Sequence, residues 1–275
     1  MRERAYLADR GLATVLSVVL ALRKPLLLEG EAGVGKTECA KALADVLGAR
    51  LIRLQCYEGI DVAHALYDWN YARQMLYIRT LEAADAAAPD TVDDVFGRDF
   101  MLRRPLLDAI ENDDPVPPVL LVDEIDRADD EFEAFLLELL SDFQVTIPEL
   151  GTVRARGRPL VVITSNRTRE LHDALKRRCL YHWIDYPTRE REAEIVAARL
   201  PGVPEAIAGR VCDAVALLRD RDLYKLPGVG ETIAWAQALL ALGGEDGSLD
   251  ASVGAALKVR EDIERVRADG VLGGV

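Results

Sequence analysis

The sequence predicts an α/β fold with a mainly parallel five-stranded sheet, followed by an all-helical C-terminal unit. Three observations carry that expectation. Short apolar or β-branched runs alternate with helical stretches. A glycine-rich loop joins the first run to a helix, as in phosphate-binding α/β units. After Pro187 only helical patterns follow.

The elements follow in order. Leu26 to Leu28 is the first strand, and Thr37 to Leu47 is a helix that stops before Gly48. Leu51 to Leu54, Val119 to Asp123, Leu160 to Ser165 and Tyr181 to Ile184 are the other strands, bounded by turn-forming or polar residues. Between them, Glu82 to Asp99 is acidic, alanine-rich and broken at Pro89, which reads as a mobile surface connection before a short helix at Leu106 to Ile110. Asp129 to Leu140 has the spacing of an amphipathic helix. Alternating residues on either side of Glu149-Leu150-Gly151 predict a β-hairpin over residues 144–159. Glu190 to Leu200, Pro204 to Leu218, Val229 to Leu242 and Ala251 to Arg267 read as helices, so the expected domains are 1–187 and 188–275.

Composition narrows the function. The 275 residues carry a formal net charge of −13, which opposes association with a polyanionic backbone, so no nucleic-acid partner is expected. The apolar stretches fall short of a membrane span, and the first residues lack the apolar core of a secretory signal, so the expected location is cytoplasmic. Cys39, Cys56, Cys179 and Cys212 are too dispersed for a zinc knuckle and read as buried thiols. The three histidines give no metal-ligand spacing, and Asp61 with His64 has only a helical spacing behind it. Trp69 and Tyr71 read as packing residues.

The sharpest signal is the run Gly30, Glu31, Ala32, Gly33, Val34, Gly35, Lys36 and Thr37, which fills every fixed position of a nucleotide-binding P-loop. Its glycines let successive N–H groups point at a phosphate chain, and the helix that follows presents its positive end to the same anion. Lys36 supplies a mobile charge for the β and γ phosphates, and the Thr37 hydroxyl is the expected ligand of Mg²⁺. Val119 to Asp126 is a buried-type strand ending in carboxylates. Asp123 is expected to hold Mg²⁺ directly or through water, and Glu124 to polarise the attacking water. The strand at Leu160 to Ser165 ends at Asn166, whose amide can share that water or serve as a strand cap.

Taken together, the segments GEAGVGKT, LLVDEID, FEAFLLELL with QVTIPELGTVRARG, VVITSNRTRELHDALKRRC, LPGVGETIAWAQAL and CYEGIDVAHALYDWNYARQ resemble the MoxR-like branch of AAA+ ATPases. Within it they are most similar to CoxD-type accessory ATPases of molybdenum-copper carbon monoxide dehydrogenase maturation. The resemblance implies a three-layer αβα AAA+ core with a helical lid, ATP and Mg²⁺ as ligands, and a ring, commonly hexameric. It further implies a von Willebrand factor A domain partner and a client metalloenzyme. It places a finger arginine, acting on the neighbouring subunit's nucleotide, at Arg178, with Arg177 as its helper; a solvated basic cluster at a helix end is the other reading. Other branches imply activation of nitric oxide reductase or rubisco, and a low-turnover nucleotide-gated scaffold is a further alternative. The family's sensor arginine in the third lid helix is not matched, because Thr232 stands at that position; either this lid contact to the γ phosphate is absent or another residue such as Lys225 replaces it. Preference for ATP over GTP is not fixed by these residues.

Overall fold

The computed structural model describes residues 1, 4–83, 95–243 and 248–273. In chain order the first elements are α1 (Arg10–Leu22), β1 (Leu26–Gly30), α2 (Lys36–Leu47), β2 (Leu51–Gln55), α3 (Val62–Ala65), β3 (Tyr67–Trp69) and α4 (Tyr71–Ala83). There follow β4 (Met101–Arg103), α5 (Pro105–Ile110), β5 (Val119–Asp123), α6 (Asp130–Asp142), β6 (Gln144–Ile147), β7 (Gly151–Arg154), β8 (Leu160–Ser165), α7 (Asp173–Arg178) and β9 (Leu180–Ile184). The C-terminal helices are α8 (Arg189–Arg199), α9 (Glu205–Arg219), α10 (Val229–Ala241), α11 (Leu249–Ser252) and α12 (Arg260–Ala268). Most of the expected acidic connection, residues 84–94, lies outside the described residues.

All five expected strands form one sheet in the order β2-β5-β8-β1-β9. β2 runs parallel to β5 with Gln55 opposite Asp123, and β5 runs parallel to β8 with Val122 opposite Ile163. The next position in that register sets Asp123 beside Thr164. β5 is buried along its whole length, as is β8, which is why both read as continuous apolar runs rather than as an alternation.

The chain divides into two compact units. One comprises residues 13–28 and 43–182. Its core is built from Leu120, Val122, Val161 and Ile163 of the sheet together with Leu106, Ile110, Leu136 and Leu139 of the helices. Asp129 caps α6 by accepting from the Phe132 N–H, and Phe143 ends it in a left-handed conformation. The hairpin is β6 with β7, Val145 paired with Val153, and it ends at Arg154 rather than continuing to Pro159. A second small ladder, β3 with β4, carries Trp69, which packs edge-on against Tyr67 and Phe96. Trp69 is thus a packing residue as expected, whereas Tyr71 lies exposed.

The other unit comprises residues 1–12, 29–42 and 183–275. Its helical core surrounds Trp235, fully buried, whose indole N–H donates to Ser252 Oγ at 2.9 Å. Within it Arg219 forks onto Glu192 with Nη–Oε distances of 2.6 and 2.8 Å, stacks over the Tyr186 ring and donates to the Pro227 carbonyl. The Thr232 hydroxyl closes this network on Glu192 at 2.6 Å. A buried pair of this kind is costly to break from one side, because the surviving charge is left without a partner. The expected helix over Ala251 to Arg267 is interrupted: α11 gives way to a 3-10 turn at Val253–Ala255, and α12 starts afresh at Arg260. Gly254 weakens the helix there, while Leu257 is buried in the core through the irregular stretch.

Candidate functional site

The glycine-rich loop follows β1 and opens α2, as the sequence predicts. Gly33 and Gly35 have φ of +79° and +96°, the left-handed region that a side chain disfavours. Lys36 is 6% exposed, and its Nζ donates to the carbonyls of Gly30 and Glu31, each at 2.7 Å. The lysine charge is therefore held against the loop's own backbone, where two neutral acceptors can be exchanged for phosphate oxygens that bind it more strongly. Thr37 is half-buried at the start of α2.

The candidate acids lie in the sheet-bearing unit. Asp123 ends β5 at 2% exposure. Its Oδ1 accepts from the Thr164 hydroxyl at 2.6 Å, and its Oδ2 accepts from Arg53 of β2 at 2.6 and 3.0 Å. Glu124 adopts φ 55° and ψ 51°, a left-handed conformation outside the strand, with its N–H donated to the same Thr164 oxygen at 2.9 Å. One buried hydroxyl thus bonds the carboxylate of one acid and the backbone of the next. The left-handed turn at a non-glycine residue is strained, and its hydrogen bond to Thr164 helps to maintain it. Glu124 Oε2 lies 3.2 Å from Arg127 Nε.

Asn166 follows β8, half-buried, in a turn where Ser165 Oγ accepts from the Arg167 N–H. Beyond it, Arg169 donates twice to the Ala128 carbonyl and pairs with the buried Glu133, tying this loop to the start of α6. Arg177 and Arg178 are exposed at the end of α7. Arg178 Nη1 donates to the Leu137 carbonyl at 2.6 Å, while Leu175 anchors the helix in the core. Thr164 and Arg53 are the residues that motif reading missed. The signal for Thr164 is a hydroxyl near the C-terminal end of a strand whose first four residues are apolar, and for Arg53 a base in a strand of alternating burial.

Thr37 offers a hydroxyl in one unit and Asp123 a carboxylate in the other, each a donor type that suits a hard cation. Among the described residues no group of three or more His, Cys, Asp or Glu is placed to hold a metal ion. Asp61 instead caps α3 and binds His64 Nδ1 at 2.7 Å. Burial pushes the thiols of Cys39, Cys56, Cys179 and Cys212 up to about 12, so none is poised as a nucleophile near neutral pH.

Replacing Thr164 with Val should separate the structural from the chemical demand on this site. Val keeps the shape but strips one hydrogen bond from Asp123 and leaves the Glu124 N–H without its acceptor. The expected cost is about 1–3 kcal/mol of stability for a buried polar group deprived of its partner. Denaturant unfolding measures that cost, and a hydrolysis rate equal to wild type would show that the orientation of these acids is immaterial.

Thr232, where the resemblance leads one to expect a sensor residue, is fully buried, with its hydroxyl on Glu192 and on the Gly228 carbonyl. Lys225 is exposed, and its backbone N–H donates to Asp262. Among the described residues no helix is long and apolar enough to cross a membrane.

No curated protein matches the chain. Two solved structures of Thermotoga maritima RuvB align with the chain. The Holliday junction branch migration motor is 17% identical, with 90% of this chain and 66% of that one covered at a TM-score of 0.46. A proline-to-glycine mutant of RuvB is 18% identical, with 91% and 70% covered at 0.51. A candidate ATPase of Cytophaga hutchinsonii is 15% identical, with 96% and 82% covered at 0.52. Residues 25–179, more than half of the sequence, match the AAA domain of the dynein-related subfamily, and the chain belongs to that family of P-loop ATPases.

Proposed function

We propose that this AAA+ ATPase couples ATP hydrolysis to the maturation or remodelling of a client metalloenzyme, in the manner of CoxD-type proteins acting on a molybdenum-copper centre. The observation that carries the hydrolytic part is the pair Asp123 and Glu124 held by one buried Thr164, in a chain that also carries a complete phosphate loop. The client assignment is supported by the ordered set of MoxR-like segments, above all CYEGIDVAHALYDWNYARQ. In this reading the protein works in the cytoplasm as a ring, probed by its partner through a von Willebrand factor A domain.

The loop N–H groups and Lys36 bind the phosphate chain, with Lys36 exchanging the Gly30 and Glu31 carbonyls for phosphate oxygens. Thr37 and Asp123 would hold Mg²⁺, which when bound neutralises phosphate charge; Asp123 must then loosen its pair with Arg53. Glu124 accepts the proton of the attacking water and Asn166 orients that water. Arg178, offered by a neighbouring subunit, stabilises charge on the transferring phosphoryl group, with Arg177 beside it.

The test has two stages. The purified chain should hydrolyse ATP only with Mg²⁺, and Lys36→Ala should lose both nucleotide affinity and turnover, since the ammonium contacts ground state and transition state alike. Unchanged affinity and rate in that variant would remove the loop from the function. The client assignment is then tested by adding the chain and ATP to the immature molybdenum-copper enzyme. A gain in its activity that requires hydrolysis supports the assignment, and no gain sinks it.

A further inference from the structure

The lid helix α10 meets the phosphate loop backbone to backbone. Val229, its first residue, donates its N–H to the Gly33 carbonyl at 3.0 Å. The approach is close enough that a Cβ at Gly228 would lie 2.7 Å from Gly33 Cα and 2.9 Å from the Ala32 carbonyl oxygen. A Cβ at Gly33 would in turn lie 3.0 Å from Gly228 Cα. Gly228 has φ −84° and ψ 179°, a conformation open to any residue, so the absence of a side chain there answers to proximity and not to backbone angle. Gly33, by contrast, has φ +79°, which favours glycine by itself, so the evidence of close packing rests on Gly228.

The neighbours hold this junction in place. Glu231 Oε2 accepts from the Gly228 N–H at 3.2 Å, and Thr232 is bonded to the Gly228 carbonyl and to Glu192, itself forked by Arg219. No side chain at position 232 is available to a nucleotide.

We propose that Gly228 and Val229 position the phosphate loop: the lid fixes the Gly33–Val34 peptide plane through a main-chain bond, in place of a side-chain contact to the nucleotide. The carbonyl of that plane is held by Val229, and its N–H, on Val34, is one of the donors the loop turns toward phosphate. This rests on the reading of residues 30–37 as the nucleotide loop. Because a preformed loop serves substrate, product and transition state alike, its disturbance appears in affinity and not in the rate at saturation.

Two variants attack the joint differently. Gly228→Ala introduces the clash. Val229→Pro deletes the N–H and exchanges the buried Val side chain for a ring of similar size, at the first helical position where proline is well tolerated and after a residue already in the extended conformation that precedes proline. Gly230→Ala, one residue on, has open space around its Cβ and serves as the control. With N-methylanthraniloyl-ATP and -ADP as probes, both joint variants should bind each nucleotide about tenfold more weakly, the scale of one lost hydrogen bond in a charged site. Their kcat at saturating ATP should stay within about threefold of wild type, giving a KM-against-kcat split, and their melting temperatures should be unchanged. A lid that merely needed these residues to fold would instead lose thermal stability and kcat together.

Wild-type affinity in both variants overturns the proposal, as does an equal loss in Gly230→Ala. Wild-type affinity in Val229→Pro alone overturns the main-chain bond, leaving only a clash. Should Gly228→Ala fail to fold, Val229→Pro carries the test unaided. Lys36→Ala measured in parallel separates the two failures: if it too binds like wild type, the nucleotide loop reading itself is wrong.

Discussion

Glu124→Gln leaves ATP bound and stops its turnover, with hydrolysis falling by about 10²–10⁴-fold, the range for loss of a positioned general base. The amide matches the carboxylate in shape, and the backbone at this residue is held from outside by the Thr164 oxygen on its N–H. The side chain therefore keeps its direction while losing its capacity to accept a proton from water. Affinity survives because the loop and Lys36 carry the phosphate contacts, and a loss confined to kcat is the mark of an interaction made only in the transition state. Filter binding of ATP and single-turnover hydrolysis on the same preparation give both quantities. A variant that turns over at the wild-type rate has its base elsewhere, and Asn166 with its bound water becomes the group to examine.

Arg178→Ala abolishes hydrolysis in the assembled protein by about 10³–10⁵-fold, the effect of removing an arginine finger in nucleotide hydrolases. The residue is exposed, so truncating it opens no cavity, and its bond to the Leu137 carbonyl can pass to water. Loss of activity with an unchanged melting temperature is thus expected. Because the finger serves a neighbour, an Arg178→Ala subunit should restore activity to a Lys36→Ala subunit when the two are mixed. Some interfaces then combine an intact loop on one side with an intact finger on the other. Exchange of tagged subunits must be demonstrated first. Full activity of assembled Arg178→Ala rules out the finger at this position and moves the test to Arg177; an exchanged mixture that stays dead confines Arg178 to its own subunit.

The elements that the sequence revealed are those whose physics is local. A run such as Val119 to Asp123, buried on both faces, cannot disguise itself, and the phosphate loop demands particular residue types at fixed spacing. What escaped depends on register. Thr164 reads as one more β-branched strand residue until β5 and β8 are paired and it comes to lie beside Asp123. Arg53 likewise reads as a solvated base on an exposed strand position until β2 lies beside β5. The three-residue strands β3 and β4 are too short to show an alternation. Helix α1 did carry a signal, since Leu12, Leu16 and Val19 are its buried stripe, but the apolar residues between them blurred the period. The bond between Val229 and Gly33 was hidden for another reason: it is made by main-chain atoms, which no side-chain pattern records.

The Gly33 to Val229 bond also bears on how the protein is born. Its partners stand about 200 positions apart, so closing it carries the entropy of a very long loop and belongs to the late, non-local part of folding. Synthesis proceeds from the N-terminus, and residues 30–37 leave the ribosome long before Val229 exists. The nascent phosphate loop therefore lacks the bond that fixes its Gly33 carbonyl, and on the proposal made above its full affinity for nucleotide arrives only when the lid has been translated and folded. Premature engagement of ATP by an unfinished chain is thereby disfavoured by the order in which the polypeptide is made.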